Sequence, residues 1–253
     1  MSLTQCDEHK AREYLKRNHW SINYALNDYY DTEIGHFVEG SADHKVLPEE
    51  YSVELITLYA KYASESGEVI ESDGLIRLIE DLGYSLDDLV TICLAKLLGC
   101  TNISKGITKG NFLYNCYEHR CSSLLQIRHI LEDMDAKLEN DVGYFTRIYK
   151  YTFDLVVEPD KRHLDEETAT EYWKLFFQAR YPIHIDNILL STWISFLQEE
   201  RKSFISKDCW QMLIEFFKRY SSLSAIKTDY NEADPWPYII DEFYEYLQDK
   251  KLI

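Results

Sequence analysis

The chain has 253 residues, enough for a substantial core, and sets 44 Asp and Glu against 27 Lys and Arg for a formal net charge of −17. That excess of acid repels nucleic acid and anionic lipid, so the expected partners are basic or apolar proteins. With only 9 glycines, 5 prolines and 45% hydrophobic residues arranged in stretches of 3.6-residue period, the expected class is all-α.

Residues 1–31 hold two short helical patterns. Asp7 starts one containing Ala11, Tyr14 and Leu15, and Ser21 starts another containing Ile22, Ala25, Leu26 and Tyr29. The run from Tyr14 through Arg17-Asn18-His19-Trp20-Ser21 to Tyr30 resembles the second and third helices of a ubiquitin-associated (UBA) three-helix domain. Little chain precedes Asp7 to supply a first helix, so the segment is expected to be a partial, UBA-like unit. Residues 32–46 sustain no period, and Glu39-Gly40-Ser41-Ala42-Asp43-His44-Lys45 reads as a linker. A second domain is expected over 47–253.

Pro48-Glu49-Glu50 opens a helix expected to turn Val53, Ile56, Tyr59 and Ala60 to one side. Ser66 to Leu78 then follows a helix, short β-like Val69-Ile70, helix layout that resembles an EF-hand. With Gly67 at loop position six, the ligand positions fall on Tyr62, Ser64, Ser66 and Asp73 instead of several carboxylates and a bidentate Glu, so calcium binding is not expected. Further helices are expected from Leu86 to Leu98 (Leu89, Cys93, Leu94 and Leu97 inward), Thr108 to Tyr117, Ser122 to Leu138 and Val142 to Val157. Asp165 or Thr168 starts the helix carrying Tyr172, Trp173, Leu175, Phe176 and Phe177, and another covers Ile185 to Leu197. No internal repeat is evident.

The last two helices carry the strongest charge signal. Ser206 is a plausible N-cap that puts Asp208 in the first turn. Asp234 is expected to cap a helix whose first position is Pro235, with Trp236, Ile239, Ile240, Phe243 and Leu247 as its apolar stripe and Asp241, Glu242, Glu245 and Asp249 opposite. Between Asp229 and Asp249 there are seven acids and no Lys or Arg, a face that attracts a basic protein surface. The same aspartates are also explained by a helix dipole and a solvated face, and both readings stand at this point.

Several chemistries lack their local geometry. There is no glycine-rich phosphate loop, no G-x-S-x-G and no H-E-x-x-H, and Cys116, His119 and Cys121 miss the spacings of zinc sites. Asp208 raises the pKa of the adjacent Cys209 thiol, which argues against a cysteine nucleophile. Neither a catalytic residue nor a metal or cofactor is therefore expected. With no signal peptide, no apolar run of about 18 residues and six scattered cysteines, the chain is expected in the cytosol or nucleus.

Taken together, Arg17-Asn18-His19-Trp20, Glu171-Tyr172-Trp173-Lys174-Leu175-Phe176-Phe177, Ile205-Ser206-Lys207-Asp208-Cys209-Trp210, and Asp229-Tyr230 with Trp236-Pro237-Tyr238-Ile239-Ile240-Asp241-Glu242-Phe243 resemble the defective-in-cullin-neddylation family, most of all its fungal members. The resemblance covers nearly the whole chain. It implies a helical PONY (potentiating neddylation) domain with EF-hand-like helix pairs that lack calcium ligands. It also implies a scaffold that helps attach the ubiquitin-like modifier Rub/Nedd to cullins without a covalent intermediate. The family's Asp-Ala-Asp patch for a basic cullin surface falls on Asp208, Pro235 and Asp241, with proline standing in the alanine position. The family's apolar pocket for the acetylated N-terminal Met of the conjugating enzyme falls on Leu75, Leu94, Ala95, Ile107, Leu155, Tyr172 and Leu175. The alternatives are a non-catalytic adaptor that binds ubiquitin, or the modifier, through the UBA-like segment, and behind it a calcium-binding EF-hand protein.

Overall fold

The computed structural model describes residues 51–253 together with Arg12 and Lys16. The UBA-like segment, the linker and the helix start at Pro48 lie outside the described residues. The chain divides into two units, Met1–Glu49 and Glu50–Ile253, and the description that follows concerns the second. It is all-α: among the described residues, eleven helices are joined by two small two-stranded sheets.

The sheets organise the helices into pairs. In the first pair, α1 (Val53–Tyr62), β1 (Val69–Ile70) and α2 (Ser72–Asp81) face α3 (Val90–Leu97), β2 (Ile107–Thr108) and α4 (Lys109–Glu118). The antiparallel register sets Val69 opposite Thr108 and Ile70 opposite Ile107. The second pair repeats the plan: α6 (Val142–Val156), β3 (His163–Asp165) and α7 (Glu166–Phe176) face α8 (Asn187–Glu199), β4 (Phe204–Ser206) and α9 (Lys207–Arg219). There Leu164 lies opposite Ile205 and His163 opposite Ser206. Between the pairs, α5 (Leu124–Asn140) packs on α3 and α6, while α10 (Leu223–Asp229) and α11 (Tyr238–Asp249) close the chain.

An internal repetition is thus present that the sequence does not display. Each strand offers one fully packed aliphatic residue, Ile70, Ile107, Leu164 or Ile205, and runs straight into a helix. In three of the four units the connecting residue is a working cap: Thr108, Asp165 and Ser206 accept from the backbone N–H groups of Asn111, Thr168 and Cys209 at 3.2, 2.8 and 3.1 Å. Glu71 in the fourth makes no side-chain cap bond. The repeat lives in one apolar residue and one cap per unit, too little for self-similarity to register.

The EF-hand-like layout of the first loop is present, and its polar groups are spent on one another. The Tyr62 hydroxyl donates to Asp81 Oδ2 at 2.7 Å, and the hydroxyls of Ser64 and Ser66 are 3.0 Å apart. Among the described residues, no three His, Cys, Asp or Glu side chains are grouped to hold a metal ion. Close backbone approach dictates the glycine at the β1–β2 crossing: Gly106 has φ +65, and a Cβ there would sit 2.4 Å from the Ile70 carbonyl oxygen.

Three expectations need correction. The α1 helix begins at Val53 behind a Ser52 cap, and it buries Leu55, Tyr59 and Tyr62, leaving Val53 and Ile56 exposed. The face is set by α4, onto whose Phe112 the Tyr59 ring packs at 5.5 Å, and not by the helix's most aliphatic positions. The α3 helix begins at Val90, after a turn in which Asp88 accepts from the Ser85 N–H at 2.7 Å, and Leu86 is exposed. Finally, Asp234 caps nothing. A proline disfavours helical backbone in the residue before it, and α11 starts only after the second proline, at Tyr238, with Pro237 as its cap residue.

The core of the second pair is aromatic. Tyr149 of α6 stacks on Trp210 of α9 at 4.5 Å and 11°, and Trp173 of α7 stacks on the same indole at 5.7 Å and 18°. Their polar atoms are answered inside the stack: Trp173 Nε1 donates to the Tyr149 hydroxyl and Trp210 Nε1 to the Tyr149 carbonyl, both at 2.9 Å. At ~25 cal/mol per Å² over roughly 150–250 Å², each ring contributes at most about 4–6 kcal/mol by burial. This stack fixes where α9 starts.

Candidate functional site

The N-terminus of α9 presents Asp208. With Ser206 capping the helix, Asp208 falls in the first turn, exposed, where the helix dipole favours a carboxylate by ~0.3–1 kcal/mol. Its neighbour Lys207 is engaged elsewhere, pairing with Asp154 at 2.8 Å. Asp208 has no ion pair among the described residues. Next along, the Cys209 thiol is buried, and burial followed by the charge of Asp208 pushes its pKa up to about 12. It stays protonated at neutral pH, so it is not a poised nucleophile.

The start of α11 presents Asp241 in a different setting. Half-buried in the first turn, it accepts a hydrogen bond from the Tyr230 hydroxyl at 2.5 Å. The Tyr230 ring stacks on Tyr244, one turn further along α11, at 4.2 Å and 22°. Burial first, and then the Asp241 carboxylate, raise the Tyr230 pKa and keep the phenol a donor. Between Tyr230 and α11 the loop folds back on itself: Asn231 Oδ1 accepts from the Ala233 N–H at 3.0 Å, and Trp236 packs edge-on against Phe216 at 5.5 Å. Pro235 stands exposed at the crest of that loop.

The acidic run has no base of its own, yet the fold supplies two. Arg219, at the end of α9, pairs with Asp234 at 2.7 Å. Arg201 takes a left-handed conformation (φ 52) to close α8, and the next residue, Lys202, reaches Glu242 at 2.6 Å. These two acids are neutralised, while Asp208, Asp229, Glu232, Glu245 and Asp249 face solvent. Asp208 and Asp241 stand on the first turns of two helices packed together, α9 and α11.

The seven apolar residues are placed otherwise. Leu75, Leu94, Ala95, Ile107 and Leu155 are all at most 6% exposed, within one contiguous core. Tyr172 and Leu175 of α7 are half-buried and pack against that core. The elements that carry them are tied at the end of α6, where the Asn102 amide donates to the carbonyls of Asp154 and Val157 at 3.1 and 2.7 Å. The Tyr151 hydroxyl donates to the Cys100 carbonyl beside them. This is a closed, apolar arrangement with two residues at its surface.

Comparison with known proteins supplies the family. Over its full length the chain is 50% identical to the defective in cullin neddylation protein 1 of Candida glabrata, covering 95% of that protein. It is 44% identical to the protein of the same name from Saccharomyces cerevisiae over 99% of this chain and 92% of that one, and 34% identical to the Eremothecium gossypii protein over 98% and 93%. The chain belongs to the defective-in-cullin-neddylation family. A family description reading "Cullin binding" matches residues 126–246, and one reading "UBA-like domain" matches residues 1–34. In this family member the cullin-binding span takes in Asp208, Pro235 and Asp241, and also Leu155, Tyr172 and Leu175. Leu75, Leu94, Ala95 and Ile107 lie before it. Sequence reasoning gave no task to Tyr230, Arg219 or Lys202. Their contacts cross a loop or join different helices, so periodicity carries no trace of them.

Proposed function

We propose that this chain promotes attachment of the modifier Rub/Nedd to cullins as a non-covalent scaffold, holding the cullin and the modifier-charged conjugating enzyme at once. Family membership supports the pathway and the cullin as partner. The observation that carries the reading is the acidic corner of α9 and α11, where Asp208 and Asp241 stand ready for a basic surface within the span described as cullin binding. Pro235 is compact and exposed between them in sequence, and takes the middle position of the patch. In this reading, residues 47–253 form the PONY domain, 32–46 join it to the UBA-like segment 1–31, and the reaction runs in the cytosol or nucleus.

The second contact is the acetylated N-terminus of the conjugating enzyme. Leu75, Leu94, Ala95, Ile107 and Leu155 form the floor of its pocket, and the half-buried Tyr172 and Leu175 form the mouth. Acetylation removes the terminal charge, whereas burying a free ammonium without a partner costs several kcal/mol, so the acetylated form is selected. Equal affinity for acetylated and free peptides removes this part of the reading. Rate enhancement then comes from effective concentration: with both partners held, transfer to the cullin lysine becomes an intramolecular event.

The test is a reconstituted transfer reaction with cullin and charged enzyme both dilute, with and without this chain. Addition of the chain is expected to speed modification, and an unchanged rate overturns the proposal. Asp241→Lys is expected to weaken cullin capture by tenfold or more, since reversing a contact charge costs on the order of 2 kcal/mol or more, with little change in melting temperature. A second reading, an adaptor that binds ubiquitin or the modifier, draws support from the UBA-like match over 1–34. Titrating either protein into the full chain decides it, because a scaffold acting through the PONY domain alone gives no saturable signal.

A further inference from the structure

We infer that Tyr230 is a positioning residue for partner binding: it holds the Asp241 carboxylate in the orientation that a cation on the partner meets. The inference rests on the acidic-corner reading and adds the residue that organises it. Tyr230 is itself held from three sides. Its N–H donates to the Ile226 carbonyl at 3.0 Å as the C-cap of α10, its ring lies on Tyr244, and Tyr220 packs beside it at 5.9 Å. A ring so held has little freedom, and its hydroxyl points at one oxygen of Asp241, at 2.5 Å.

The consequence follows from the geometry of a carboxylate. With Oδ1 tied to the phenol, the plane of the group is fixed, and Oδ2 accepts no hydrogen bond among the described residues. Two effects compete. Donation from the phenol spreads some negative charge and weakens pairing slightly, while an immobilised side chain spares the partner the ordering cost that a free one carries, of order 0.5–1.5 kcal/mol. At a half-buried site the second effect wins, because Asp241 released from Tyr230 is free to turn toward water. Asp208 on α9 has no such holder, so the two carboxylates of the patch differ in kind: one fixed, one mobile.

Tyr230→Phe removes the hydroxyl and keeps the ring stack. With the C-terminal region of a cullin titrated into the full chain, this variant is expected to bind roughly three- to tenfold more weakly, as suits the return of one side chain's ordering cost. Its melting temperature should stay within a few degrees of the parent. The decisive measurement is the cycle with Asp241→Asn: once Asp241 is neutral, Tyr230→Phe is expected to add nothing. If Asp241→Asn weakens binding but Tyr230→Phe does not, the inference is overturned and the acidic-corner reading stands. If the two effects simply multiply, Tyr230 acts through the fold and the inference is equally overturned. If Asp241→Asn leaves affinity unchanged, the corner itself is misassigned and both fall.

Discussion

The two EF-hand-like pairs share one plan and fill it with different side chains. In the first, the strands Val69–Ile70 and Ile107–Thr108 sit over a mostly aliphatic core with Leu75, Leu78, Ile92, Leu94 and Leu97, and with the thiols of Cys93 and Cys100. In the second, the corresponding space holds Tyr149, Trp173 and Trp210, stacked and hydrogen-bonded to one another, with Trp193 packed edge-on against Trp173. Aliphatic cores tolerate exchange of side chains of similar volume at modest cost, whereas large rings with satisfied polar atoms have few alternative packings. The first pair is therefore the more tolerant of repacking. The second gives α9 a rigid base, and α9 carries Asp208 in its first turn and packs against α11.

The comparison breaks most directly at Trp210. Trp210→Ala should cost about 3–5 kcal/mol, because it leaves a ring-sized cavity between Tyr149 and Trp173. Chemical denaturation checks this, and a loss below about 1 kcal/mol means that the aromatic stack is not the rigid part. A smaller loss is expected from Gly106→Ala, roughly 1–3 kcal/mol, since the new Cβ meets the Ile70 carbonyl at 2.4 Å with φ at +65. Amide exchange locates it: β1 and β2 should lose protection while β3 and β4 keep theirs. Equal loss in both sheets would show the pairs to be one cooperative unit and remove the distinction between them.

How much of this was legible in the sequence depends on where the signal lies. Helices α7 and α9 are readable because the start signal and the following residues agree, Asp165 and Ser206 each preceding a helix, whereas the Asp141 cap of α6 shows only in the structure. The helix α10 was not foreseen, its seven residues being too short to show a period. The α11 start was misread because Asp-Pro is a common helix opening, and the second proline, at Pro237, outvotes the first. For the site, the acidic face was visible as local charge, but its neutralisation by Arg219 and Lys202 was not, since both arrive from other helices. The apolar set was available only through family resemblance. Buried Leu, Ile and Ala look alike whether they fill a core or line a pocket.

The smallest expected effect tests the repeated cap. Asp165 closes the β3–α7 unit, and the donors on it, the Thr168 N–H foremost with the Thr168 hydroxyl, hold its pKa below the ordinary 3.8 against the opposing effect of burial. A carboxyl depressed on folding contributes stability above its unfolded value and loses that contribution as the pH falls through its folded value. The cap as a whole is worth about 1 kcal/mol, so Asp165→Ala should lower the unfolding free energy at neutral pH by that amount. Asp165→Asn keeps a capping oxygen but no titration, and the residue is exposed enough for screening to leave only a fraction of that energy pH-dependent. The parent's advantage over Asp165→Asn should accordingly be full at neutral pH, start to fall as the pH drops below the ordinary carboxyl value of 3.8, and be gone once the pH is below the lowered folded value. An advantage that persists unchanged into acid would mean that Asp165 acts through shape alone. The caps of the two pairs, Thr108 and Asp165, would then be chemically equivalent, leaving the cores as the difference between them.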